Sequence, residues 1–288
     1  MEKKILVVGA TGQLGSAIML NQHSFQLIGV NHEQFDLLNV ELMRSVLSIE
    51  KPDLIINCAA FTNVELAEEE EDVAVAINAN AVENLAELCN EFVVPMIHIS
   101  TDYVFDGMKN GEYLESDKPS PLNVYGASKL LGEELALKKS KLVYVIRVSW
   151  LYAQKFNNFK NTILELSKTL DQLKVVADQV ASPTFAGKFA EDLIHIAKVI
   201  FEEAPKNGIY HYSHEGKASW YDFAKEIKEV YKFNTPIAEV DSEYFETKAK
   251  RPSFSKLNNN KIKSVFKLKE IHWKQALKAC FEQEKRTK

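Results

Sequence analysis

Three cysteines, Cys58, Cys89 and Cys280, are all that the chain holds in 288 residues, an odd number at wide spacing with no C-x-x-C pair. The pattern fits buried thiols in a reducing compartment better than a disulfide framework or a zinc site. The seven histidines form no H-x-x-x-H or H-E-x-x-H arrangement, so no metal site is expected. No apolar run approaches the roughly 20 residues of a membrane span. The opening MEKKILVVGA has only a short apolar run before its glycine, which does not make a signal peptide. A basic excess is also missing: 35 Lys and Arg stand against 40 Asp and Glu, a formal charge of −5. That balance argues against a nucleic-acid surface, while leaving room for a small anion held by a local cluster of donors. The expectation is a cytoplasmic protein with no metal, no nucleic-acid partner and no membrane contact.

What is present is an ordinary globular composition, 46% apolar and 26% charged. Strand-length apolar runs at 5–9, 26–30, 53–60, 95–100 and 142–149 alternate with helical patterns near 13–21, 40–50, 72–92 and 126–139. Near-continuous apolar strands separated by helices predict a parallel sheet covered on both faces, the doubly wound, Rossmann-like α/β architecture. After residue 150 the rhythm loosens. Helical patterns near 158–171, 187–203, 219–231 and 271–285 surround short strand candidates at 174–178 and 208–213. The chain is therefore read as a dinucleotide-binding domain over 1–150 and a smaller, interleaved C-terminal substrate domain over 151–288. Some segments between 158 and 204 are expected to return to the sheet. The acidic run from Glu68 to Asp72 is expected at a solvated helix start.

The first specific feature is VVGATGQLGS, residues 7–16, between the first strand and the first helix. Its spacing is G-x-x-G-x-x-G. Glycine permits the turn and lets backbone approach a pyrophosphate, and free N–H groups at the helix start face the anion. Gly9, Thr11, Gly12, Gln13, Leu14 and Gly15 are the candidate cofactor contacts, with the Thr11 hydroxyl bracing the wider gap. No G-K-[ST] follows, which argues against a P-loop. At the end of the second strand, where a carboxylate would hold the ribose of NAD, stand Asn31 and His32. NADPH and NADH both stay open, with a lean toward NADPH. Asp36 is a candidate for the adenine amino group, with Leu37 beside it.

A second cluster lies in YGASK, where Tyr125 and Lys129 are four residues apart and share a helix face. A phenol titrates near about 10 and is a poor proton shuttle at neutral pH unless an ammonium sits beside it. Upstream, IHISTDYVFDG places Ser100 and Thr101 at the carboxyl edge of strand four, where doubly wound folds hold their ligands. A hydroxyl there can hydrogen-bond a carbonyl.

GATGQLG, NCAAFTNVELAE, STDYVFDG, PLNVYGASK, RVSWLYA, the NNF of 157–159, the ASPT of 181–184 and KRPSFSKLN occur in order along nearly the whole chain. In these motifs it resembles the extended short-chain dehydrogenase/reductase superfamily and, within it, the dTDP-4-dehydrorhamnose reductase family of dTDP-L-rhamnose synthesis. The resemblance implies a catalytic Thr101, Tyr125 and Lys129, with NAD(P)H delivering hydride to C4 of a dTDP-4-keto sugar. Tyr125 would protonate the alkoxide, Thr101 would bond the same oxygen, and Lys129 would tune Tyr125 and hold the nicotinamide ribose. It further implies Ala59, Ala60, Thr62 and Ser100 along the cofactor, and Tyr103 and Trp150 beside the sugar. Asn158 and Arg251 become candidates for the nucleotide diphosphate, Arg251 because a guanidinium matches phosphate geometry. Related dehydratases carry an Asp-Glu pair after the threonine, whereas here Asp102 is followed by Tyr103. Some family members use a glutamate two residues after the third glycine to bind Mg2+ at a dimer contact. Ala17 stands there, and a monomer or homodimer is expected. Two alternatives stay open. One is reduction of another dTDP-4-keto-6-deoxy sugar; the other is a non-catalytic, NADP-binding regulatory subunit similar to that of methionine adenosyltransferase.

Overall fold

The computed structural model describes residues 2–21 and 25–286. Five strands of the first half, β1 (Lys4–Val8), β2 (Gln26–Val30), β3 (Leu54–Asn57), β4 (Met96–Thr101) and β5 (Val143–Val148), are joined by a strand from the second half, Gly208–Tyr212. Their order is Gly208–Tyr212, β5, β4, β3, β1, β2, and every pairing is parallel. The chain leaves β1 toward β2 on one side and continues with β3 on the other. The resulting crevice lies beyond the carboxyl ends of β1 and β3, where such sheets take their ligands.

Alternation along the strands divides the core in two. Ile5 and Val7 of β1 face one layer, with Leu14 and Ile18 of the helix α1 (Gln13–Met19) and Phe189 and Leu193 of the helix Ala186–Glu203. Leu6 and Val8 face the other, with Met43 and Leu47 of the helix α2 (Val40–Glu50) and Leu85 of the helix Ala81–Glu91. Because both faces are covered, the strands carry the continuous apolar runs that the sequence shows. The helix Ala186–Glu203 thus packs on the sheet although it belongs to the second half of the chain. A separate aromatic-rich core, including Tyr152, Phe185, Phe223 and Trp273, holds the helices Phe159–Leu166, Trp220–Tyr231 and Trp273–Arg286 and three two-stranded ribbons.

The helix Val124–Lys139 carries Tyr125 and Lys129 and is fixed at several points. Asn123 caps it by accepting the Gly126 N–H at 2.8 Å, while its amide donates to the Lys250 carbonyl at 2.7 Å. Glu68 departs from the expected solvated position and accepts the Val124 N–H at 2.8 Å. At Gly132 the helix meets a π-helical turn, Ala76–Asn80, so closely that a Cβ would stand 2.0 Å from the Asn78 carbonyl oxygen. Farther along, Glu133 receives Arg147 of β5, whose Nε lies 3.0 and 3.1 Å from the two carboxylate oxygens and whose Nη2 lies 2.6 Å from Oε2. Both side chains are about 1% exposed, and Ser100 Oγ donates to the same carboxylate. A strap, residues 252–258, bridges to Val180 and Tyr113 and reaches the residue that follows β4, where Ser255 Oγ donates to the Asp102 carboxylate.

A buried pair of this kind costs most when only one partner is removed. Arg147→Met leaves Glu133 buried without its cation, and urea unfolding is expected to show a loss of about 3–5 kcal/mol. The double variant Glu133→Gln/Arg147→Met is expected to lose less than Arg147→Met alone.

Candidate active site

The crevice opens into a cleft of about 760 Å³ between the sheet and the second lobe. Gly9, Thr11, Gly12, Gln13 and Leu14 form one wall, and Asn31, Asp36 and Leu37 form its far end. Ala59, Ala60 and Thr62 line the floor after β3, and Ser100, Thr101, Tyr125 and Lys129 close the near end. Gly15 lies outside the lining and serves packing: a Cβ there would stand 2.2 Å from the Gly9 carbonyl oxygen. Gly9 adopts φ +74°, and its Cβ would meet Ala59 N at 2.9 Å. Gly12 caps α1 with no side-chain acceptor, so the first N–H groups of the helix stay free to face an anion. Among the described residues of the lining Lys129 is the one ammonium or guanidinium. Phosphates here would meet backbone donors rather than side-chain cations, which fits the diphosphate of a dinucleotide.

Some candidates are already engaged. Asn31 exchanges hydrogen bonds with Gln34, at 3.1 Å from its N–H and 3.0 Å to its side-chain oxygen. Asp36 accepts the Leu38 N–H at 2.9 Å. The Ser100 hydroxyl is donated to Glu133. Asn158 caps the helix Phe159–Leu166 and donates to Gln13 Oε1 at 2.9 Å, clasping the glycine turn to the second lobe. Arg251 is absent from the lining; it pairs with Glu65, donates to the Ala249 carbonyl at 3.1 Å, and shares a hydrogen bond with Tyr103. Ala17 packs against the helix-covered core.

At the reacting end Tyr125 shares a hydrogen bond with Thr101, and burial pushes the phenol up to about 12. Thr101 Oγ1 also accepts the Tyr103 N–H at 3.2 Å and donates to Asp102 Oδ1 at 3.3 Å. Burial raises the Asp102 carboxyl to about 7, against the hydrogen bonds from Ser255 and Thr101. Lys129 is pushed down to about 8 by burial, opposed by Glu133 and Cys58. Its Nζ donates to the Ile99 carbonyl at 2.7 Å and lies 3.3 Å from His98 Nε2.

Facing this cluster is an aromatic wall. Trp150 sits at φ +44° and stacks on Trp220, with ring centroids 3.4 Å apart and planes 5° from parallel. Phe159 packs on Trp220 at 4.5 Å, and Trp220 Nε1 donates to Gln179 Oε1 at 3.1 Å. Tyr103 meets Tyr125 edge-on at 5.9 Å. Trp220, Phe159 and Phe223 also line the cleft and were not among the sequence candidates. The signal in ASWYDFA is an ordinary helix start, here a Ser219/Asp222 capping box, and nothing local ties its tryptophan to Trp150.

A doubly wound sheet with a glycine turn after its first strand and Thr101, Tyr125 and Lys129 around its fourth defines an oxidoreductase of the short-chain dehydrogenase/reductase class. Residues 3–286 match the RmlD substrate binding domain, and the chain belongs to that family. It is 39% identical to a dTDP-4-dehydrorhamnose reductase of Aggregatibacter actinomycetemcomitans, over 96% of this chain and 97% of the relative. With the dTDP-4-dehydrorhamnose reductase of Escherichia coli K12 it shares 36% identity over 95% of each chain. The crystal structure of the Bacillus anthracis dTDP-4-dehydrorhamnose reductase in complex with NADP superimposes with a TM-score of 0.92 at 32% identity, covering 98% of this chain and all of that one.

The glycine geometry separates two substitutions. Gly15→Ala drives a methyl into backbone and is expected to cost about 1–3 kcal/mol in urea unfolding. Gly12→Ala, whose Cβ would find Gly9 O at 3.4 Å, is expected to leave stability within about 1 kcal/mol of wild type while narrowing the cleft.

Proposed function

We propose that this chain reduces the C4 keto group of dTDP-4-dehydro-L-rhamnose to give dTDP-L-rhamnose, with NADPH or NADH as the electron source. The reading rests on the meeting of Thr101, Tyr125 and Lys129 with the glycine turn in one cleft, in a chain similar along its whole length to dTDP-4-dehydrorhamnose reductases. Residues 1–150 serve mainly the dinucleotide and 151–288 mainly the sugar nucleotide. The protein works in the cytoplasm as a monomer or homodimer.

When bound, the reduced nicotinamide supplies the hydride that adds to C4. Tyr125 enters as a phenol, since burial holds it protonated throughout the neutral range, and it gives its proton to the oxygen that develops negative charge. Thr101 orients that hydroxyl and can bond the same oxygen. A charge on Asp102 would oppose formation of the phenolate, and its raised carboxyl lessens that opposition toward the acid side of about 7. Free N–H groups of α1 bind the diphosphate of the dinucleotide. Trp150, Trp220 and Tyr103 bound the space for the sugar nucleotide and exclude water from it. The open wall beside Gly12, whose Cβ would meet only one backbone oxygen, suits such a ligand.

Oxidation of NADPH in the presence of enzymatically prepared dTDP-4-dehydro-L-rhamnose tests the reading. Tyr125→Phe is expected to lower kcat by about a hundred- to ten-thousand-fold with dinucleotide affinity retained. Undiminished turnover would rule out the proton donor. An inert wild type that turns over another dTDP-4-keto-6-deoxy sugar would keep the chemistry and change the substrate. No turnover with any such sugar, together with capture of a methionine adenosyltransferase, would favour a regulatory subunit. Trp220→Ala is expected to raise KM for the sugar nucleotide about five- to tenfold, with the Kd for NADPH unchanged.

A further inference from the structure

Thr101 ends a chain of buried oxygens that begins in the strap. Asp102 is 2% exposed and Ser255 1%. Ser255 Oγ donates to Asp102 Oδ2, and Asp102 Oδ1 lies 3.3 Å from Thr101 Oγ1. Thr101 Oγ1 in turn accepts the Tyr103 N–H at 3.2 Å and shares a hydrogen bond with Tyr125. The order is therefore Ser255, Asp102, Thr101, Tyr125, and the last three line the cleft. Among the described residues no lysine, arginine or histidine bonds to either oxygen of Asp102. Its polar neighbours are the two hydroxyls and its own backbone N–H, and the Tyr103 and Tyr125 phenols lie close enough to feel its charge. The cations of the adjoining segments are committed elsewhere. Arg251 pairs with Glu65, Lys129 donates to the Ile99 carbonyl, and Lys256 donates to Ser213 Oγ and the His214 carbonyl.

A threonine hydroxyl has one proton to give and two lone pairs to offer. The Tyr103 N–H occupies one lone pair, so Asp102 and the cleft divide a single proton and a single lone pair between them. A carboxylate only accepts. Beside a charged Asp102, Thr101 must give up its proton inward, and a substrate oxygen would keep Tyr125 as its one hydroxyl donor. Beside a neutral Asp102 the direction reverses. Ser255 already donates to Oδ2, so the acid proton belongs on Oδ1, where it points at Thr101. The Thr101 proton is then free for the cleft. An oxygen that gains negative charge needs donors, and reduction calls for this second arrangement. Burial without a cation favours the same state, and the carboxyl is raised to about 7.

We propose that Asp102 is a positioning residue which, as a neutral acid oriented by Ser255, donates to Thr101 and thereby turns the Thr101 hydroxyl toward the substrate oxygen. Asp102 keeps its own proton throughout, and the transferred one comes from Tyr125. The use made of the Thr101 proton rests on reading the cleft as a ketone-reducing site; the protonation of Asp102 does not.

The first test is 13C NMR of the intact, nucleotide-free protein labelled at its aspartate carboxyls and titrated from about pH 5 to about pH 9, with Asp102→Asn assigning the signal. The wild-type signal is expected to titrate near 7. In Ser255→Ala the charged form loses a donor, so the midpoint is expected about half a unit or more higher. A carboxylate already formed at about pH 5.5, or a midpoint that Ser255→Ala leaves in place or lowers, would overturn the proposal. The second test is single-turnover reduction of dTDP-4-dehydro-L-rhamnose by NADPH. The wild-type rate is expected to fall above about pH 7 toward a level about a hundredfold lower, the loss of one donor to the developing charge. Asp102→Asn imitates the neutral acid, since its oxygen can accept from Ser255 while its nitrogen donates to Thr101. Its rate is expected to be flat with pH and about tenfold or more above wild type at about pH 8.5. A rate below wild type at that pH in a variant that still binds NADPH, or a limb that persists, would overturn the proposal. In Ser255→Ala the limb is expected to move up with the carboxyl signal, and a limb that stays behind would overturn it as well. Absence of any turnover in the wild type would count against the substrate reading, and the carboxyl titration would then decide this inference alone.

Discussion

The contact between Arg147 and Glu133 carries more of this structure than its place under the cleft suggests. It joins β5 to the helix that presents Tyr125 and Lys129, and the same carboxylate takes the Ser100 hydroxyl from β4. Three elements are thereby locked in register one helical turn from Lys129. An apolar contact would fill the space but would tolerate sliding, since hydrophobic burial has no direction. A bidentate pair does not slide without losing both hydrogen bonds. Gly132 and the π-helical turn set how near the helix comes to the preceding layer, and the pair sets where along the sheet it stops. The distances among Thr101, Tyr125 and Lys129 follow from those two settings.

The two ends of the cleft solve different electrostatic problems. At the glycine turn, anionic groups must be held where nearly all side-chain cations are missing, and uncapped backbone N–H groups take that role. At the reacting end, titratable groups sit close together in a buried setting, where desolvation favours the neutral form of each. Tyr125 and Asp102 move up and Lys129 and His98 move down, so the cluster approaches neutrality before any ligand arrives. Charge that develops on a substrate oxygen would then be the dominant local charge.

Local periodicity made much of this legible. The glycine spacing, the apolar runs and the helical Tyr125–Lys129 interval each depend on residues close in sequence, and each appears in the fold where the pattern put it. Arg147 was hidden inside a strand that reads as apolar, and its partner lies in a helix whose pattern gives no hint of a buried carboxylate. Trp220 could not be tied to Trp150, because 70 residues separate them and the contact depends on how the second lobe folds back. Arg251 carried a suitable charge for phosphate, but Glu65, in the short helix Val64–Ala67 far back in the sequence, answers that charge. Residue type suggests what a side chain can bind; only packing decides what it has already bound.

The strap that brings Ser255 to Asp102 has a consequence for the order of assembly. The two residues are 153 positions apart, so the carboxylate beside Thr101 leaves the ribosome long before its hydroxyl partner does. At ordinary rates of synthesis that interval is about 8 to 30 s. Through that time β4 can pair and the first lobe can form, but its end carries a charged, hydrated carboxylate where the finished protein has a buried one. The first lobe is therefore born with an open seam at the reacting end, closed only by a strap made 153 residues later.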